Sequence, residues 1–198
     1  MPTLVIVGGP NGSGKTTLTK HLIKRGRIKT HVINPDDIAK IELGSFNFRV
    51  GAAKLALERR HQALSINADF AFETTFSGKS EINDCIAAKA AGFKTILYYI
   101  TLTSVMDNIN RVEERELNLG HPVDVEDIAR RYNKSKANLS SHISLFDRVY
   151  LFDNSKTERS RVAIFEKGEL IWLSPKHKDH SFYKELLTPQ PTPPLPQG

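Results

Sequence analysis

The sequence predicts an open α/β fold: a mainly parallel sheet with helices on both faces. Three observations lead there. Short apolar runs rich in β-branched residues alternate with longer stretches of helical periodicity. The first run passes through a glycine-rich turn directly into a helical pattern. The chain, 198 residues with 39% hydrophobic and 25% charged, has the size and make-up of one soluble domain.

The elements follow in order. Leu4-Val5-Ile6-Val7 is the first strand, and Thr17 to Lys24, with Leu18, Leu22 and Ile23 apolar, the first helix. Residues 31–33 and 70–72 are the second and third strands. Between them a helix spans about 49–66, with Val50, Ala53, Leu55, Leu57 and Leu64 as its apolar stripe. Residues 79–91 form a helix stopped by Gly92, and 95–101 the fourth strand. Residues 104–118 form a helix closed by Gly120 and Pro122. The next helix starts at the acidic run Asp124-Val125-Glu126-Asp127 and carries Ile128, Tyr132, Leu139 and Ile143. Residues 148–152 are the fifth strand. Val162-Ala163-Ile164-Phe165 and Leu170-Ile171-Trp172-Leu173, joined through Gly168, read as an antiparallel hairpin at the sheet edge. The domain is expected over 1–187. The end, 188–198, holds five prolines in eleven residues and is expected to be disordered.

The net charge of +6 fits either nucleic acid or a site that holds several phosphates. Basic residues come in short clusters with no aromatic interleaving, which disfavours nucleic acid. Cys85 is the sole cysteine, which excludes an internal disulfide and a cysteine-based metal site. No stretch approaches the ~20 apolar residues of a membrane span. The first strand begins within three residues of Met1, so no leader is expected and the cytoplasm is the expected compartment.

Gly9-Pro10-Asn11-Gly12-Ser13-Gly14-Lys15-Thr16 matches G-x-x-x-x-G-K-[ST] in full, between a strand and a helix. That context makes it a phosphate-binding loop, or P-loop. Its glycines let backbone N–H groups turn toward an anion, and the helix start adds unpaired donors. Thr17 extends the phosphate-binding set. Lys15 can reach the β- and γ-phosphates of ATP, and the Thr16 hydroxyl can bind Mg²⁺. Asp36 and Asp37 follow the second strand, on the rim where α/β sheets bind ligands. One of them can accept a hydroxyl proton, with Asp36 favoured. The same Pro35-Asp36-Asp37 run is also helix-start chemistry, and the two uses are compatible. Glu73 ends the third strand on the same rim, placed for Mg²⁺ or for substrate hydroxyls. Arg111 and Arg115 lie four apart on one helix face, either as a lid that brings guanidinium groups over a phosphoryl group or as part of a solvated, ion-paired helix.

Together with Phe70-Ala71-Phe72-Glu73-Thr74-Thr75 and Leu151-Phe152-Asp153-Asn154, these residues resemble the zeta-toxin-like family of P-loop kinases over about 3–155. The resemblance implies a kinase of small molecules, whose best-known members act on UDP-N-acetylglucosamine, and leaves room for a protein antitoxin. It places Asp36 at the catalytic base, Glu73 at a substrate-binding acid, Thr75 at a substrate-contacting threonine and Arg111 at a lid arginine. It departs in two places. The arginine that follows Glu-x-Thr in the toxins is here Ser77, with Lys79 nearby. The second lid arginine has no direct counterpart, leaving Arg115, Arg130 or Arg131.

The expected activity is therefore an ATP- and Mg²⁺-dependent transfer of phosphate to a small-molecule hydroxyl. Lys15, Asp36 and Arg111 are its catalytic residues, with Asp37, Glu73, Thr75 and Arg115 toward the substrate. The alternatives are an NTP-driven switch that works through a protein, and a nucleic-acid end kinase.

Overall fold

The computed structural model describes residues 1–117 and 124–188. The Gly120-His121-Pro122 turn and the proline-rich end beyond Thr188 lie outside the described residues, as do the side chains of Phe46 and of residues 115–117.

Seven strands form one sheet in the order β2-β3-β1-β4-β5-β6-β7. The first five are β1 (Thr3–Gly8), β2 (Val32–Ile33), β3 (Phe70–Thr74), β4 (Lys94–Thr101) and β5 (Arg148–Asp153), all parallel. β6 (Ser160–Glu166) and β7 (Glu169–Leu173) run antiparallel beside β5, the expected hairpin. β1 sits at the centre of the five parallel strands, buried on both faces, which is why it reads as an unbroken apolar run.

The two faces are unequal. α1 (Lys15–Lys24) covers one, where Leu18 and Leu22 pack on Val5, Val7, Tyr98 and Ile100. The other carries α3 (Arg49–Ser65), α4 (Ser80–Ala90) and α6 (Val125–His142), followed by α7 (Ser181–Leu187). α7 inserts Phe182, Tyr183 and Leu186 into that core, a helix the periodicity does not announce. On α3 the buried positions are Ala52 and Ala56, whereas Val50 is 73% exposed. Small side chains let this helix approach the sheet closely, and the larger apolar ones of the expected stripe fall at its margin.

α5 (Val105–Leu117) and α6 meet through Ile109, Val112 and Ile128, an apolar cluster separate from the two sheet cores. Asp124 caps α6 by accepting from the Glu126 amide at 2.9 Å, as the acidic run predicts. Tyr132 ties α6 down by donating to the Leu102 carbonyl at 2.9 Å. Among the described residues no helix is long and apolar enough to cross a membrane.

Candidate active site

The P-loop turns the chain from β1 into α1 through backbone that only glycine takes easily. A Cβ on Gly9, at φ 148, would sit 2.0 Å from the Ile100 carbonyl oxygen of the neighbouring strand. Gly14 caps α1 in the left-handed region at φ 98. Two asparagines brace the loop from distant elements. Asn154, just past β5, donates to the Ser13 carbonyl at 2.9 Å, and Asn108 of α5 donates to the Asn11 carbonyl. Lys15 Nζ reaches back to the carbonyls of Gly9 at 2.9 Å and Pro10 at 3.0 Å.

A cleft of about 630 Å³ opens in front of this loop. Gly12, Gly14, Lys15, Thr16 and Thr17 line one end, and Asp36, Glu73 and Thr75 line it further along. Thr16 Oγ1 donates to Glu73 Oε2 at 3.0 Å, so the P-loop hydroxyl and the rim carboxylate meet directly. Glu73 is only 7% exposed. Burial pushes its carboxyl above the usual range, against the pull of the Lys15 charge and the Thr16 hydrogen bond, and the nearby Asp37 adds to the rise.

The helix that follows β2 is three residues long, α2 (Pro35–Asp37), and its cap is Asn34. Asn34 Oδ1 accepts from the Asp36 amide at 3.0 Å, and Asn34 Nδ2 lies 3.5 Å from Glu73 Oε2. The capping duty that the sequence allowed to Asp36 or Asp37 therefore falls to Asn34. Both carboxylates are exposed, and Asp36 lines the cleft. The chain continues through a short π-helical turn, Ile38–Glu42, an irregularity the sequence does not signal.

Two arginines arrive from the helices opposite. Arg111 of α5 lines the cleft and donates from Nη2 to the Asn154 carbonyl at 2.9 Å. Arg131 of α6 lines it too, with Nε 2.6 Å from Asp127, whose other oxygen takes Arg130. Arg115 lies on α5, its side chain outside the described residues.

The far end holds residues that sequence reasoning missed. Arg60 of α3 lines the cleft, its guanidinium 4.6 Å from the centre of the Phe72 ring and 2.8 Å from Asp84. Glu81, in the first turn of α4, is 5% exposed and accepts from the hydroxyls of Thr74 and Ser80. Thr75 Oγ lies 2.8 Å from Ser77 Oγ. Phe76 between them takes φ 57 while fully buried, a strained turn that aims this segment at the cleft. Arg60 and Glu81 carry no motif. Their only sequence signal is a charged residue where the helical pattern faces the sheet.

The family described as Zeta toxin matches residues 1–169, most of the chain. The chain belongs to the zeta toxin family. Solved structures agree on the fold. The AvrRxo1-ORF1:AvrRxo1-ORF2 complex with sulphate ions aligns with a TM-score of 0.65 at 21% identity, over 96% of this chain and 65% of that one. The same pair with ATP gives 0.64 at 20%, over 96% and 64%. The PezAT toxin–antitoxin system of Streptococcus pneumoniae gives 0.61 at 16%, over 94% and 77%. This zeta toxin family chain thus spans about two thirds of the AvrRxo1 chain, and at these identities the likeness is one of P-loop kinase fold. No match was found among curated protein sequences.

Proposed function

We propose that this protein transfers the γ-phosphoryl group of ATP to a hydroxyl of a small molecule. The observation that carries the reading is a single cleft shared by the P-loop, the exposed carboxylate of Asp36 and the arginines of two facing helices. The P-loop amides and Lys15 hold the phosphates. Asp36 takes the proton as the acceptor oxygen bonds to the γ-phosphorus, and the bond from that phosphorus to the bridging oxygen breaks to release ADP. Arg111 and Arg131 meet the charge that spreads over the transferring group. Asp37, Thr75 and Arg115 stand toward the acceptor. Thr16 and Glu73 offer hard oxygen donors 3.0 Å apart, a set that suits Mg²⁺, which would neutralise phosphate charge there.

Family membership makes UDP-N-acetylglucosamine the first acceptor to assay. The paired chains named in the AvrRxo1 and PezAT structures support an antitoxin as protein partner. The test is ADP release by the purified protein with ATP, Mg²⁺ and a panel of hydroxylated metabolites. A kinase shows release that depends on one acceptor and a product carrying the phosphate, both lost in Lys15→Ala with its melt retained. Release stimulated by no acceptor, or retained in Lys15→Ala, would refute the reading.

A further inference from the structure

We infer that His177 is a positioning residue for the nucleotide site, acting through Asp153 and Asn154; the inference rests on the nucleotide-binding half of the reading above. His177 stands in the turn between β7 and α7, far along the chain from the P-loop. Its Nε2 lies 3.1 Å from Ser160 Oγ and 3.5 Å from Asp153 Oδ2, and the His177 and Asp153 side chains are each 10% exposed. A proton on Nε2 is the arrangement that serves both oxygens, since a carboxylate only accepts. Nδ1 is buried with no hydrogen-bond partner. The ring thus leaves one nitrogen unsatisfied while placing the other at a buried carboxylate. Tyr183 of α7 meets the same ring edge-on, with centroids 5.3 Å apart. The turn and the docked helix are thereby clamped onto the end of β5.

Asp153 is the last residue of β5, and the turn that follows it braces the site. Its other oxygen, Oδ1, accepts from the Ser155 amide at 2.7 Å, which closes the chain around Asn154. Ser155 Oγ accepts from the Thr103 amide at 2.9 Å, and the Asn154 amide donates to the Thr101 carbonyl at 3.0 Å, so the turn is also pinned to the end of β4. Asn154 carries both functional contacts. Its side chain donates to the Ser13 carbonyl of the P-loop at 2.9 Å, and its own carbonyl accepts from Arg111 Nη2 at 2.9 Å. There is little slack, because a Cβ on Gly14 would lie 2.6 Å from Asn154 Nδ2. The P-loop and Arg111 are therefore both registered on one residue, whose neighbour in the chain is a buried carboxylate. Without His177 that carboxylate keeps its charge and loses a partner, which is costly where water is excluded. It recovers partners by turning toward water, and the turn moves Asn154 with it. A shift on the order of 1 Å is enough to cost a well-organised site up to about 10²-fold.

The test is calorimetric titration with ATP, beside a thermal melt, on the full chain. Asn154→Ala sets the scale and should weaken ATP binding about tenfold, the size of one lost buried hydrogen bond. His177→Phe keeps a ring against Tyr183 and removes the donor, and it should also weaken ATP about tenfold. Because His177 acts through Asn154, the double variant should bind ATP no more than about twofold worse than Asn154→Ala alone. His177→Gln keeps an N–H donor and should bind within about threefold of the wild type. A histidine that only stabilises the C-terminal segment would lower the melt and leave ATP affinity unmoved. Unchanged affinity in His177→Phe, or losses that add in the double variant, would overturn the inference and leave the kinase reading standing. If His177→Phe does not fold, Asp153→Asn takes its place, with the same expected loss and the same lack of additivity with Asn154→Ala; wild-type affinity there overturns the inference as well. A wild-type protein that binds no ATP would overturn both.

Discussion

Asp36→Asn separates the chemistry of the rim from its architecture. The hydrogen bond that shapes this turn runs from the Asp36 amide to Asn34 Oδ1 at 3.0 Å and involves no Asp36 side-chain atom. The substitution keeps the size and leaves the cap untouched. Its stability cost is the loss of an exposed negative charge in a first helical turn, about 0.3–1 kcal/mol. For a chain of this length that lowers the melting temperature by no more than about 4 °C. The loss of a general base is larger, about 10²–10⁴ in kcat, or roughly 2.7–5.4 kcal/mol of barrier. The rate effect therefore exceeds the stability effect several-fold, with ATP affinity unchanged. The assay pairs acceptor-dependent ADP release with a thermal melt and calorimetric ATP titration, and Asp37→Asn serves as the neighbouring control. If Asp36→Asn keeps its kcat, or if Asp37→Asn takes the loss instead, the base is misassigned. A melting temperature lowered by ten degrees or more would mean the carboxylate shapes the turn after all.

Arg111→Ala should lower kcat by about 10²-fold or more, with a smaller change in the KM for ATP, in steady-state kinetics; an unchanged kcat moves the role to Arg131. Gly9→Ala forces a methyl group to within 2.0 Å of the Ile100 carbonyl oxygen in a backbone region hostile to L residues, so the P-loop must shift. It should cost about 1–3 kcal/mol by chemical denaturation and abolish ATP binding, and a wild-type titration would refute the geometry. Glu73 has its folded-state pKa raised, first of all by burial, above the ordinary value of 4.5. The native state then binds its proton more tightly than the unfolded chain does, and that stability is full below about pH 4.5 and lost as pH rises through the folded value. Glu73→Gln should accordingly melt higher than the wild type at pH 7, the gap closing toward pH 4, while activity disappears. A variant that melts lower at pH 7 contradicts this.

Much of the architecture was legible because the strands are short apolar runs and the P-loop carries its own context. Leu4 to Val7 could hardly lie anywhere but in an interior strand of the sheet, and Gly9 and Gly14 have no alternative that reproduces their backbone. Burial of Glu73 was not legible, because its charge reads as surface until the Thr16 contact is seen. Arg60, Glu81 and Asp84 were invisible for a related reason. Each is an ordinary charged residue on a helical pattern, and only the packing of α3 beside β3 and of α4 beside β4 and α3 turns them inward. Asn34 was overlooked as the cap because the two aspartates that follow it are equally good capping residues by type. The α7 segment lacks a long apolar period, so its docking is a tertiary event that local sequence does not encode.

The bridge from Asn154 to the Ser13 carbonyl spans 141 residues of chain. Closing so long a loop costs chain entropy, which sheet pairing and core packing must offset, and non-local contacts of this kind slow folding. The nucleotide cradle is thus completed by one of the last strands to be synthesised. A growing polypeptide that has emerged only as far as β4 carries the entire glycine-rich motif without either of the asparagines that brace it.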